Sequence, residues 1–206
     1  MRSEDIAIPA TMLRRMTFEN FDPKGARSST PNQRESLSMA LDAARSFAEQ
    51  PELCLFLDGP TGVGKTHLAI AIAGWQSQLD VEIKFWVVSD LLDYLRHAYS
   101  RSSDSEFYTI FNATRNTELL ILDDFAAPTM TDWALERLYQ LIAHRLDRML
   151  PTVITSQYIL WRGADNSHWS PLEGRLYWES IRSRLNDSSV VTERLMAAPD
   201  YRNRGA

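Results

Sequence analysis

Gly59-Pro60-Thr61-Gly62-Val63-Gly64-Lys65-Thr66 fits the spacing G-x-x-x-x-G-K-[ST]. The glycines let successive backbone N–H groups turn inward around one anion, and a helix opening at Lys65 adds the partial positive charge of its N-terminus. A lysine in that place reaches the β- and γ-phosphates of a nucleoside triphosphate, and the hydroxyl of Thr66 offers one ligand to Mg²⁺. His67 continues the segment into the helix. The alternative is a glycine-rich turn with an incidental lysine. Context separates the two: an apolar run, Leu53 to Leu57, precedes the glycines, and a helical pattern from Lys65 to Gln78 follows them.

A second group of candidates is Leu119-Leu120-Ile121-Leu122-Asp123-Asp124, four apolar residues ending in two carboxylates. Alone, this reads as a strand followed by an Asp-Asp turn. Beside a phosphate loop it supplies what phosphoryl transfer to water requires, with Asp123 to hold Mg²⁺ and Asp124 to orient and polarise the attacking water. A third candidate is Thr155-Ser156-Gln157, a polar end to the apolar stretch from Pro151, from which a side chain could touch the γ-phosphate or the water. A Thr-Ser-Gln turn is common, and only the architecture around it promotes the group.

The elements that would position these groups alternate along the chain. Thr30-Pro31-Asn32-Gln33 reads as a capping box with proline at the first helical position, opening a helix over 31–49 that Pro51 ends. Strands are expected at 53–57, 83–88, 119–123 and 151–156, with a fifth at 189–192. Between them fall helices at 65–78, two at about 90–114 capped by Ser89 and by Ser103-Asp104-Ser105-Glu106, one at 131–149 and one at 172–185. Strand-helix alternation of this kind means a parallel sheet with right-handed crossovers and helices on both faces, its ligands at the carboxyl ends of the strands. Residues 1–29 lack sustained periodicity and read as an N-terminal arm anchored by Phe18 and Phe21, before an ATPase domain at 30–206.

Composition sets the bounds. With 206 residues, 44% hydrophobic and 24% charged, the chain is ordinary for one globular domain, not a disordered or collagen-like protein. It lacks an apolar run of membrane-span length, and its first residues are too charged for a signal peptide, so a cytoplasmic location is expected. The single cysteine, Cys54, lies in an apolar run and reads as a buried, inert thiol. The histidines show no metal-ligand spacing. A net charge of −5 argues against a general nucleic-acid binder, although both ends of the chain are mildly basic around an acidic middle.

The phosphate loop continuing into Gly-Lys-Thr-His-Leu-Ala, the Leu-Leu-Ile-Leu-Asp-Asp strand and Pro151-Thr-Val-Ile-Thr-Ser156 together resemble the DnaC/IstB-like AAA+ ATPases. That group includes bacterial and phage helicase loaders and the ATP-binding helpers of some transposons. Thr17-Phe18-Glu19-Asn20-Phe21 resembles the segment that opens the module, and Pro199-Asp200-Tyr201-Arg202 one that closes it, so the likeness spans nearly the whole chain. It implies an α/β P-loop NTPase of the ASCE type, a five-stranded parallel sheet in the order 5-1-4-3-2, and little or no helical lid. Gln157 then stands at sensor 1, where many relatives carry asparagine. Ser183-Arg184-Leu185 resembles the motif that supplies an arginine finger to a neighbouring subunit's ATP. Arg182 is its rival, pointing roughly 200° away on the same helix.

The resemblance further implies ATP and Mg²⁺ as ligands, assembly into a spiral or ring, single-stranded DNA as partner, and a replicative helicase as client. The helix pair at 90–114 resembles an insertion that lines a DNA channel. Within it Tyr94, Arg96, Arg101 and Arg115, with Tyr99 and Phe107, could form a basic track with aromatic platforms, or could equally be surface arginines and packed rings. Loaders often carry a helicase-binding region ahead of the module, whereas here the resemblance begins at Thr17. The polar loop 163–171, with Trp161 and Trp169, is a candidate contact for a partner or DNA. Two alternatives to the loader stay open: a transposition helper acting on duplex DNA, and a nucleotide-gated interaction module with weak hydrolysis.

Overall fold

Leu119 and Ile121 enter one apolar layer, Leu120 and Leu122 the other, because successive side chains of a strand point to opposite faces. The computed structural model, which describes residues 8–26, 28–101, 104–125, 130–157 and 174–202, carries this alternation across a five-stranded sheet. Its strands are β1 (Cys54–Asp58), β2 (Ile83–Val87), β3 (Leu119–Phe125), β4 (Thr152–Ser156) and β5 (Val191–Leu195). They lie in the order β2-β3-β4-β1-β5, every pair parallel. This is the expected order 5-1-4-3-2 read from the other edge. β3 and β4 are therefore neighbours, and β4 separates β3 from β1.

The helices are α1 (Ala10–Arg15), α2 (Pro31–Glu49), α3 (Lys65–Gln76), α4 (Val88–Arg101), α5 (Asp104–Asn116), α6 (Asp132–Asp147) and α7 (Leu176–Leu185). On one face, α2 and α3 pack with Phe18 and Phe21 over Leu55, Leu57, Ile121 and Val153. On the other, residues of α4 to α7 cover Cys54, Phe56, Trp86, Leu122 and Ile154. Both faces of the central strands β1, β3 and β4 are covered, so these strands are buried nearly throughout, whereas the edge strand β5 is Val-Thr-Glu-Arg-Leu and partly exposed. Cys54 is fully buried in β1, and burial pushes its thiol up to about 12. Among the described residues no helix follows β5, and none is long and apolar enough to cross a membrane.

Local signals set several boundaries. Thr30 Oγ1 accepts from Gln33 N–H at 3.3 Å while Gln33 Oε1 accepts from Thr30 N–H at 2.9 Å, the reciprocal cap expected at the start of α2. Three expectations are corrected. Residues 10–15 form α1, a helix too short to show a full apolar period and without a buried residue. Ser89 does not cap α4, which starts at Val88 directly from β2 and leaves the Ser89 hydroxyl beside Asp90. β5 begins later than expected, because Ser189 N–H donates to the Asp187 carboxylate at 3.0 Å and Val190 N–H to Asp187 O at 3.1 Å, closing a turn over 187–190. The proposed cap at 103–106 and the loop 163–171 fall partly or wholly outside the described residues.

Arg145 of α6 is fully buried at the end of the sheet opposite the site. Its guanidinium donates to Thr152 Oγ1 (2.9 Å) and to the carbonyls of Arg115 (3.0 Å), Thr117 (2.9 Å) and Pro151 (2.6 Å), fastening the end of α5 to the entry of β4. Burial lowers its pKa to about 10. The buried cation is stabilised by these carbonyl and hydroxyl oxygens.

Candidate functional site

The phosphate loop leaves β1 at Asp58 and enters α3 at Lys65, with Gly59, Gly62 and Gly64 at φ of 147°, 80° and 105°. Side chains rarely adopt such angles, and a Cβ at Gly64 would stand 2.6 Å from Phe21 Cε2. Val63 is buried in the core, so the loop is pinned on its inner side. Lys65 is buried, and its ammonium donates to the carbonyls of Gly59 (2.8 Å) and Pro60 (2.7 Å). Burial pulls the ammonium below its ordinary pKa, while the carboxylates of Asp58, Asp124 and Asp123 pull the other way. The His67 ring nitrogen Nε2 lies 2.7 Å from Thr17 O, joining α3 to the segment before α2.

Two adjacent carboxylates on a regular strand would point to opposite faces. β3 avoids this with a bulge: Leu122 pairs with Ile154 and Phe125 with Ser156, so Asp123 and Asp124 together oppose Thr155. Asp124 has a φ of 55°, which aspartate tolerates better than most residues. Its N–H donates to Thr155 Oγ1 at 3.0 Å, and that hydroxyl donates to Asp123 Oδ1 at 2.6 Å. The Thr66 hydroxyl reaches Asp123 from the other side, 2.9 and 3.1 Å from its two oxygens. Burial raises the Asp123 pKa, and the hydroxyls of Thr155 and Thr66 oppose the rise. A partly buried carboxylate facing a hydroxyl is the oxygen-donor set that suits a hard divalent cation, so Thr66 and Asp123 fit Mg²⁺.

Gln157 completes the array. Its Oε1 accepts from Thr61 Oγ1 at 3.0 Å, and its Nε2 donates to Asp124 Oδ1 at 3.0 Å. The side chain thus spans from the phosphate loop to the exposed carboxylate at the bulge. Loop, β3 and β4 are joined by one continuous hydrogen-bonded chain: Thr66 to Asp123, Asp123 to Thr155, Thr155 to Asp124, Asp124 to Gln157, Gln157 to Thr61. A cleft of about 460 Å³ opens over these residues, within the range of small-ligand sites. Its walls include Met16, Asn20 and Phe21 on one side and Ala198, Tyr201 and Arg202 on the other.

The remaining candidates lie apart from this array. Arg182 is buried and paired with Glu179 at 3.5 Å, whereas Arg184 is half-buried with its guanidinium 4.9 Å from the centre of the Tyr139 ring. Tyr94 stacks on Trp86 at 5.7 Å; Arg96 pairs with Asp93 at 3.2 Å and lies 5.5 Å from the Trp133 ring. Arg115 lies 6.0 Å from the Phe111 ring, and Phe107 is buried in the core, no platform for a base. Tyr99 remains well exposed. The side chain of Arg101 lies outside the described residues. Thr155, Tyr201 and Arg202 were not singled out individually from sequence, because what distinguishes them is a strand register and a chain crossing.

A family model for IstB-like ATP binding proteins matches residues 2–169. The chain belongs to this family. An insertion-sequence ATP-binding protein of Mycobacterium tuberculosis is 30% identical over 189 residues, which are 91% of this chain and 68% of that protein. The replicative helicase loader DnaI of Bacillus subtilis is 26% identical over 144 residues, 69% of this chain and 44% of the loader. Among solved structures, the DnaC helicase loader superposes with a TM-score of 0.67 at 24% identity, over 89% of this chain and 97% of that one. DnaA bound to AMPPCP and single-stranded DNA gives 0.63 at 17% identity, over 87% and 50%. These superpositions give the chain the fold of the DnaC helicase loader and of DnaA.

Proposed function

We propose that this IstB-family protein is an ATPase that assembles with ATP on DNA, and that it serves as a helper of transposition on duplex DNA. The observation that supports hydrolysis is the hydrogen-bonded chain through Thr66, Asp123, Thr155, Asp124 and Gln157. It holds one carboxylate beside the Mg²⁺ donors and a second one, exposed, at the edge of the cleft. Lys65 binds the β- and γ-phosphates. Thr66 and Asp123 would hold Mg²⁺, which when bound would neutralise phosphate charge. Asp124 accepts a proton from the attacking water as its oxygen bonds to the γ-phosphorus, and the bond to the β-phosphate oxygen breaks to leave ADP and phosphate. Gln157 orients that water, as sensor 1.

Arg184 is the finger. It belongs to the neighbouring subunit's nucleotide and stabilises the charge that develops on the phosphoryl group. Its fractional exposure supports this choice over the buried Arg182, which Glu179 holds.

The duplex reading rests on the family match and on the insertion-sequence relative, which covers more of this chain than the loader does. The second reading, a helicase loader on single-stranded DNA, is favoured by the likeness to DnaC and DnaI. Fluorescence anisotropy of labelled oligonucleotides at one stated low salt separates them, since phosphate contacts dominate affinity. With Mg²⁺ and a non-hydrolysable ATP analogue, the duplex is expected to bind more tightly than the single strand, and binding should weaken without nucleotide. A nucleotide-dependent preference for the single strand would establish the loader instead. Binding to neither would overturn both and leave a nucleotide-gated interaction module.

A further inference from the structure

The end of the sheet opposite the cleft gathers positive charge from two helices. Arg115 lies in the last turn of α5, His144 and Arg145 lie in the last turn of α6, and Arg148 closes α6 as its C-cap. A cation at a helix C-terminus offsets the partial negative charge there, which accounts for such residues on each helix taken singly. Here they converge. Burial lowers the His144 pKa, and Arg148, Arg115 and Arg145 all stand close enough to lower it further, with Asp147 opposing them.

The array is already ordered. Asn116 Nδ2 donates to Asn112 O at 2.9 Å, which leaves its Oδ1 facing His144 Nε2, 2.8 Å away. Arg148 Nη1 lies 3.2 Å from His144 Nδ1. A guanidinium only donates, so Nδ1 is the acceptor and the imidazole proton sits on Nε2, where it is donated to Asn116. The neutral ring thus links the end of α5 to the Arg148 side chain. Arg145 anchors the backbone of the other arginine, its Nη1 donating to Arg115 O at 3.0 Å, and its remaining bonds go to Thr117 O, Pro151 O and Thr152 Oγ1. Arg115 and Arg148 lack such acceptors. Among the described residues neither forms an ion pair, and Arg115 Nε is buried without a hydrogen-bond partner.

We infer that Arg115 and Arg148, with His144 beside them, form a second anion site, suited to a phosphate group and separate from the cleft. Guanidinium forks match phosphate oxygens, and an anion there would offset like charges that otherwise repel one another. A free phosphate and the backbone of a nucleic acid present the same chemistry to such a site.

The test follows the His144 ring by NMR in the full chain, its signal identified by its loss in His144→Gln. Mg²⁺ and a saturating non-hydrolysable ATP analogue keep the phosphate loop occupied. Sodium phosphate is titrated against sodium chloride at matched ionic strength. Phosphate is expected to move the His144 signal saturably and to raise its pKa, because a bound anion offsets the neighbouring guanidinium charges. Arg115→Gln/Arg148→Gln is expected to weaken that binding about tenfold or more. An equal effect of chloride, or an unchanged midpoint in the double variant, would overturn the inference. A short DNA duplex separates the two sources. If it moves the same signal at lower concentration and phosphate displaces it, the site takes a nucleic-acid backbone; a duplex without effect, where phosphate acts, assigns the site to a free anion. No movement with either would overturn the site altogether. Should the double variant melt below the assay temperature, Arg148→Gln alone, at an exposed position, is read the same way.

Discussion

Lys65→Ala abolishes nucleotide binding while leaving the fold intact. The Lys65 ammonium is buried among the loop carbonyls of Gly59 and Pro60 at the floor of the cleft, close enough to Asp58, Asp124 and Asp123 for each to raise its pKa. In the proposed complex it would make charge-assisted hydrogen bonds to two phosphates, each contributing about 1.5–3 kcal/mol. Losing both weakens ATP by about 10²- to 10⁴-fold, at 1.4 kcal/mol per tenfold. Alanine is a strong helix former, so α3 keeps its first turn. Isothermal titration with ATP and Mg²⁺, beside a thermal melt, checks the result. Near-normal affinity in a folded Lys65→Ala protein would mean that the loop does not cradle the phosphates.

Asp124→Asn has the opposite profile: ATP binds as before and turnover falls by about 10²- to 10⁴-fold, the usual contribution of a positioned general base. Asparagine preserves the shape of the side chain, the Asp124 N–H bond to Thr155 and an oxygen for Gln157 Nε2. Only the capacity to accept the proton of water is removed. Phosphate release at saturating ATP measures this, with affinity taken from the same titration as for Lys65. Robust hydrolysis by Asp124→Asn would transfer the base role elsewhere.

How far the site could be read in advance depended on whether its parts are local in sequence. The phosphate loop is local: its glycines, lysine and threonine lie within eight residues, and the strand before and helix after it are visible as an apolar run and a helical period. The Asp-Asp strand end and the β4 terminus were legible for the same reason. The bulge was not, because it arises from the register between β3 and β4, and it alone explains how neighbouring carboxylates reach the same edge. Thr155 gains its place from that bulge. The crossing of residues 196–202 over the phosphate loop was recognisable only as a closing segment, since the packing of Asp200 on Gly62 joins residues far apart in the chain. Arg145 gave no signal among the apolar residues of α6, because its four oxygen partners come from β4 and the ends of two other segments. On α7, helical spacing separated Arg182 from Arg184, but only packing against Glu179 and Tyr139 distinguished the buried side chain from the accessible one.

In the proposed assembly the hydrolytic site is completed by two copies of the chain, with Lys65, Asp123 and Asp124 from one and Arg184 from the next. Mixing Arg184→Ala with Asp124→Asn, each inactive alone, tests it directly. In a freely exchanging assembly, an equal mixture places an intact Asp124 beside an intact Arg184 at about a quarter of its interfaces, so phosphate release should recover to about a quarter of the unmodified rate. A mixture that stays inactive at every ratio, although both proteins fold and bind ATP, would contradict a site shared between subunits.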